Sequence, residues 1–244
     1  MRITLFLLST VVAWAQPSAP TPPIPPPLRA AAQLISDYGN LARYAADNQK
    51  IPQPAAGEDR VVFMGDSITD FWGRSANGDK FFPGKPYINR GISGQVTAQM
   101  LLRYYADVIA LKPKVVVILA GTNDIGGNLG PLPLEATENN LMAMADLARA
   151  NGIKVVLAAL TPVCDYYHPQ TPQRPPDKIS ALNRWIKEYT ARNNLVYLDY
   201  FTATVDDKGY FKADLTYDGL HPNAAGYQVM GPLAEKAIAQ ALSK

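Results

Sequence analysis

Val115-Val116-Val117-Ile118-Leu119-Ala120 is six apolar residues in a row, four of them β-branched. A run this short and this apolar suits a parallel strand covered on both faces. Three more runs read the same way: Val61 to Met64, Ile153 to Leu160, and Leu195 to Asp199. Tyr87 to Asn89 is a shorter candidate. Between and after them lie segments with helical periodicity: 96–110, 134–150 closed by Asn151-Gly152, 177–193 with Asp177 as expected N-cap, and 223–242. Strands alternating with helices give a parallel sheet with helices on both faces. The expected architecture is a flavodoxin-like three-layer α/β/α sandwich around a five-stranded parallel sheet.

The chain has 244 residues, 48% of them hydrophobic, which suffices for one well-buried domain. Its net charge is +2 and it carries no charge run, which argues against a nucleic-acid partner. The single cysteine, Cys164, excludes an internal disulfide and cysteine-pair zinc sites. Arg2, the apolar stretch Ile3 to Val12 and the small-x-small Ala13-Trp14-Ala15 predict a cleaved signal peptide over residues 1–15, without lasting membrane insertion. Seven prolines in residues 17–28 make 16–28 an extended linker. Residues 29–50 are expected to be helical, with Leu34, Tyr38, Leu41 and Ala45 on one face. Residues 29–244 then form the folded domain.

In a parallel sheet all strand-to-helix turns lie on one edge. Ser67 follows the first strand, Gly91 the second and Asn123 the third, so these converge. His221, in Asp218-Gly219-Leu220-His221, joins them if the last loop folds over that edge. A serine hydroxyl needs a base within hydrogen-bond reach to act as a nucleophile. The chain has two imidazoles, His168 and His221, and His221 has Asp218 three residues earlier. Such a carboxylate can fix the ring's tautomer. Backbone N–H groups of Ser67 and Gly91, with the Asn123 amide, could supply an oxyanion hole. The blander alternatives are that Ser67 merely caps a helix through Ser67-x-x-Asp70, that Gly91 and Asn123 are turn residues, and that Asp66 and Asp124 orient the histidine or brace their turns.

Gly65-Asp66-Ser67, Gly91, Gly121-Thr122-Asn123-Asp124 and Asp218-Gly219-Leu220-His221 together resemble the blocks of the SGNH hydrolases, the GDSL esterases and lipases. Ile68 stands where the family name implies leucine. The resemblance extends to members like the platelet-activating-factor acetylhydrolases and the carbohydrate acetyl esterases. It implies Ser67 as nucleophile, His221 as base, Asp218 as orienter, and Ser67, Gly91 and Asn123 as the oxyanion hole. It implies a secreted serine esterase, periplasmic or extracellular, needing no metal or cofactor and acting on short acyl groups of a small-molecule or glycan ester. Trp72, Tyr166 and Tyr167 are candidate substrate contacts, with Phe71 and Trp72 equally readable as core anchors. Lysophospholipase or thioesterase activity, and a non-catalytic glycan-binding role, are the alternatives. The Gly-x-Ser-x-Gly elbow of the α/β-hydrolases is absent.

Overall fold

The four apolar runs and the Tyr87 candidate form five parallel strands: β1 (Val61–Gly65), β2 (Tyr87–Gly91), β3 (Val115–Leu119), β4 (Lys154–Ala158) and β5 (Val196–Leu198). Their order is β2-β1-β3-β4-β5. Every residue of β1 and β3 is buried, as expected of strands covered on both faces. This computed structural model describes residue 32, residues 35–74 and residues 80–244. The expected signal peptide and proline-rich linker lie outside the described residues.

The helices are α1 (Ala42–Lys50), α2 (Ser67–Asp70), α3 (Thr97–Asp107), α4 (Thr122–Ile125), α5 (Leu134–Ala150), α6 (Pro176–Arg192), α7 (Tyr200–Thr204) and α8 (Ala224–Leu242). Residues 37–244 form one unit. The right-handed crossovers that parallel neighbours require put the order reversal between β1 and β3. Crevices open at such switch points, beyond the carboxyl ends of the strands.

Two local expectations change. A continuous helix over residues 29–50 is not found. Asn40 takes a left-handed φ of 54°, and the Asp37 carboxylate accepts from the N–H groups of Leu41 and Ala42, so α1 starts afresh at Ala42. Tyr44 is the residue α1 buries, while Tyr38, Leu41 and Ala45 are exposed; Leu34 lies outside the described residues. Asp177 does not cap α6: Pro175 occupies the N-cap, Pro176 is preset for the first turn, and Asp177 offers its charge to the positive end of the helix. Pro222 precedes the Asn223 cap of α8. Gly152 closes α5 with φ 72°, as Asn151-Gly152 predicts.

Candidate active site

The serine stands on a short, rigid turn. β1 ends at Gly65, where an added Cβ would lie 2.1 Å from Thr69 Oγ1 and 2.9 Å from the Leu119 carbonyl. Only a residue without a side chain lets α2 nest this closely against β1. Asp66, not Ser67, caps α2: its Oδ1 accepts from Ile68 N–H at 2.9 Å. The helix is pinned from the far side, where Tyr227 of α8 donates its hydroxyl to the Ile68 carbonyl at 2.8 Å. Ser67 Oγ is therefore not spent on a capping bond. It lies 2.9 Å from His221 Nε2.

The loop ahead of α8 does fold over the sheet edge. Gly219, at φ 91°, lies so close to the segment following β4 that a Cβ there would meet the Cys164 carbonyl at 2.3 Å. Cys164 N–H donates to the Gly219 carbonyl at 2.8 Å, and Thr216 Oγ1 donates to the His221 carbonyl at 2.7 Å. Within this frame Asp218 uses both oxygens. Oδ1 accepts from the N–H groups of Leu220 (2.9 Å) and His221 (2.8 Å), and Oδ2 lies 2.6 Å from His221 Nδ1. Carboxylate oxygen only accepts when ionised, so Nδ1 carries the proton and Nε2 turns its lone pair to the serine hydroxyl. Burial works to raise the Asp218 carboxyl, but the ring and two backbone donors outweigh it and hold it at about 2. Phe71 packs at 5.2 Å and Tyr217 at 5.8 Å from the His221 ring, centroid to centroid, the Tyr217 ring within 14° of parallel.

Asn123 follows β3, whose Leu119 is in register with Gly65 of β1, so it stands beside the serine turn at the same edge. It is 3% exposed. One N–H of its amide goes to the Gln95 carbonyl at 3.0 Å, and its Oδ1 accepts from Arg174 Nη2 at 3.2 Å.

Gly91 does not present its N–H to this space. The group donates at 2.9 Å to Asn89 Oδ1, a side chain folded back along its own strand. Gly91 is buried against α2, where a Cβ would lie 2.2 Å from Asp70 N, so the glycine serves close backbone packing. Gly94 lies three residues on. It is exposed, at φ 81°, with open space where a Cβ would sit, and its N–H has no hydrogen bond among the described residues. The peptide after it carries the Gln95 group that holds Asn123, and its own carbonyl accepts from Asn128 at 3.1 Å. The second glycine of Gly91-Ile92-Ser93-Gly94 was the available signal.

Trp72 is a core anchor. It is 6% exposed and packs on Phe63, Phe81, Phe82 and Tyr227. Tyr166 and Tyr167 are exposed, and their hydroxyls are donated to Asp206 and to the Ala213 carbonyl. Tyr217, adjoining Asp218 and 46% exposed, is the aromatic the sequence reading overlooked. Asp66 and Asp124 do not touch His221: Asp124 accepts from the Thr97 N–H and hydroxyl at the start of α3. His168 is exposed. No cluster of three or more metal-ligating side chains occurs among the described residues.

The model of the GDSL-like Lipase/Acylhydrolase family matches residues 63–229. The chain belongs to this family. An acetylxylan esterase from Geobacillus stearothermophilus is 26% identical over 202 residues, spanning 70% of this chain and 90% of that one. Esterase TesA of Pseudomonas aeruginosa is 31% identical over 138 residues, 57% of this chain and 62% of that one. The crystal structure of a GDSL-like lipase from Bacteroides thetaiotaomicron superposes with a TM-score of 0.77 at 40% identity, covering 84% of this chain and 99% of that one. The protein is a carboxylic ester hydrolase of the GDSL type.

Proposed function

We propose that this esterase removes short acyl groups, acetyl above all, from carbohydrate, through an acyl-enzyme on Ser67 and outside the cytoplasm. The unbroken line from Asp218 Oδ2 through His221 to Ser67 Oγ, at 2.6 and 2.9 Å, carries the reading. His221 Nε2 takes the hydroxyl proton as Ser67 Oγ attacks the ester carbonyl carbon. The negative oxygen of the tetrahedral intermediate is held by the N–H groups of Ser67 and Gly94 and the second N–H of Asn123. His221 then gives its proton to the departing alcohol oxygen. Water enters, loses a proton to His221, attacks the acyl carbon and frees the acid, and Ser67 recovers its proton.

Two observations favour a sugar ester. The exposed Tyr217 ring, nearly parallel to His221, offers an apolar face on which a pyranose could stack beside the serine. The acetylxylan esterase relative is matched over 90% of its length. The lipase among the structural neighbours keeps a lipid ester as the second reading. The signal-like residues 1–15 support export, with Gln16 as the expected mature N-terminus. Among the described residues no helix is long and apolar enough to cross a membrane.

The test is p-nitrophenol release from acetate, butyrate and octanoate esters, with acetate release from acetylated xylan alongside. The acetate ester should turn over fastest, and Ser67→Ala should lower kcat by about 10³-fold or more. Retained activity in the alanine variant would refute the acyl-enzyme, and preference for octanoate would favour the lipid ester.

A further inference from the structure

Among the described residues, Arg174 is the charged side chain hydrogen-bonded to the Asn123 amide. It stands just before the Pro175-Pro176 start of α6 and is 6% exposed. Its Nη2 donates to Asn123 Oδ1 at 3.2 Å. Its Nη1 has only long contacts, 3.4 Å to Gln170 Oε1 and 3.5 Å to Gln173 Oε1, and its buried Nε has no partner among the described residues. A guanidinium has no acceptor and a carbonyl has no donor. The Asn123 amide, caught between Arg174 and the Gln95 carbonyl, therefore has one allowed orientation: oxygen toward the cation, nitrogen toward Gln95 and the serine edge. The cation also draws electron density toward Oδ1, which makes the amide N–H a stronger donor in this low-dielectric setting.

The segment that carries Arg174 is braced. The Asp165 carboxylate accepts from Gln170 N–H at 2.6 Å and Thr171 N–H at 2.9 Å, and Arg174 N–H closes the turn onto the Gln170 carbonyl at 2.9 Å. Gln170 also reaches the Asp218 carbonyl at 3.4 Å, so one loop spans from the histidine's orienting segment to the oxyanion side. Gly126 leaves the room: a Cβ there would lie 2.9 Å from Arg174 Nη2 and 3.0 Å from Cζ.

We propose that Arg174 is a positioning residue of this esterase, orienting and polarising the Asn123 amide so that its free N–H meets the developing oxyanion. The proposal rests on the acyl-enzyme reading above.

A mutant cycle tests it with p-nitrophenyl acetate. Arg174→Met should lower kcat by about tenfold and leave KM within about twofold, because the polarised donor matters most when the oxyanion forms. In an Asn123→Ala background, where nothing remains to be polarised, the same substitution should change kcat by less than about twofold. Arg174→Lys, which keeps the charge, should recover part of the loss. Gly126→Ala keeps the arginine and pushes the end of a flexible side chain aside, so it should lower kcat in the same direction at little cost in stability, and it carries the test if Arg174→Met does not fold. An equal loss in both backgrounds, an unchanged kcat, or a rise in KM alone would overturn the proposal. Ser67→Ala, run in parallel, reports separately on the acyl-enzyme: its failure to abolish turnover would refute that reading whatever the cycle shows.

Discussion

Asp66 shows how one residue can serve the site at a cost to the fold. It is 1% exposed; Oδ1 caps α2, and Oδ2 has no hydrogen-bond partner among the described residues. Burial is the dominant influence and pushes its carboxyl up to about 6, against the Ile68 N–H and the nearby His221 and Arg174, which pull it down. The folded protein thus holds this proton more tightly than the unfolded chain. Between 3.8 and about 6 the folded state binds more protons, so stability falls as pH rises through that window. Above it the full penalty applies, roughly 3 kcal/mol at about 1.36 kcal/mol per pH unit. Asn can make the same cap without the charge, though its amide nitrogen takes the place of the unpartnered oxygen. Asp66→Asn should therefore match the wild type below about pH 4 and exceed it by about 1–3 kcal/mol near pH 8. Denaturant melts across that range check the sign. Asp218 shows the opposite case: a carboxyl held at about 2 stays ionised for His221 throughout any ordinary working range.

At the scale of elements, the site depends on α2 being wedged between the ends of β1 and β2. Gly91→Ala would drive a Cβ to 2.2 Å from Asp70 N and 2.7 Å from the Asp70 Cα, where backbone, not a side-chain tip, must move. We expect a loss of about 2–4 kcal/mol and a drop in kcat, since α2 carries the serine. Gly94→Ala meets open space and should cost only about 1 kcal/mol for its left-handed φ, with its N–H retained. Urea melts of the two variants compare them directly. The contrast explains what was legible in the sequence. Four apolar runs and the shorter Tyr87 to Asn89 candidate sufficed for five strands, and Leu134 to Ala150 was readable as a helix end to end, because burial and periodicity are local signals. That the Gly91 N–H is already bonded was not legible, because it rests on where the Asn89 side chain turns. Helix 29–50 was misread because Gly39-Asn40, with Asp37 capping afresh, overrides a weak apolar stripe. The five-residue α7, capped by Asp199, was too short to show a period. Ser67, Asp218 and His221 were legible as a set, whereas the Arg174–Asn123 contact spans 51 residues that no spacing rule joins.

On the scale of the whole molecule, the edge that holds the serine is stitched to the helices behind it by a buried polar network. Arg103 of α3 has no exposed side-chain surface. It donates to Gln95 Oε1 at 2.6 Å, the Arg90 carbonyl at 2.9 Å, Asp107 Oδ2 at 3.0 Å and the Gly65 carbonyl at 3.2 Å. One guanidinium thus binds the carboxyl ends of both β1 and β2, next to the turn that presents Ser67, and Gln95 links it to the backbone that holds Asn123. Asn48 extends the network to α1, donating to Asp107 at 2.7 Å and accepting from Arg90 Nε at 2.9 Å, while the Tyr44 hydroxyl donates to the Gly91 carbonyl. Burying such charges is expensive, and removing one partner leaves the other uncompensated. Arg103→Met should cost about 3–5 kcal/mol, because Asp107, 1% exposed, loses its ion-pair partner and keeps the Asn48 hydrogen bond. Arg103→Met with Asp107→Leu should recover a large part of that loss, since an apolar pair of similar volume removes the unpaired charge. The double variant should still turn over esters more slowly than its stability suggests, because the Gly65 and Arg90 carbonyls at the serine edge have lost the Arg103 guanidinium, and Gly65 keeps only the Ile92 N–H among the described residues. Urea melts paired with kcat on p-nitrophenyl acetate separate the two effects: full recovery of both stability and kcat in the double variant would mean that the network serves folding alone.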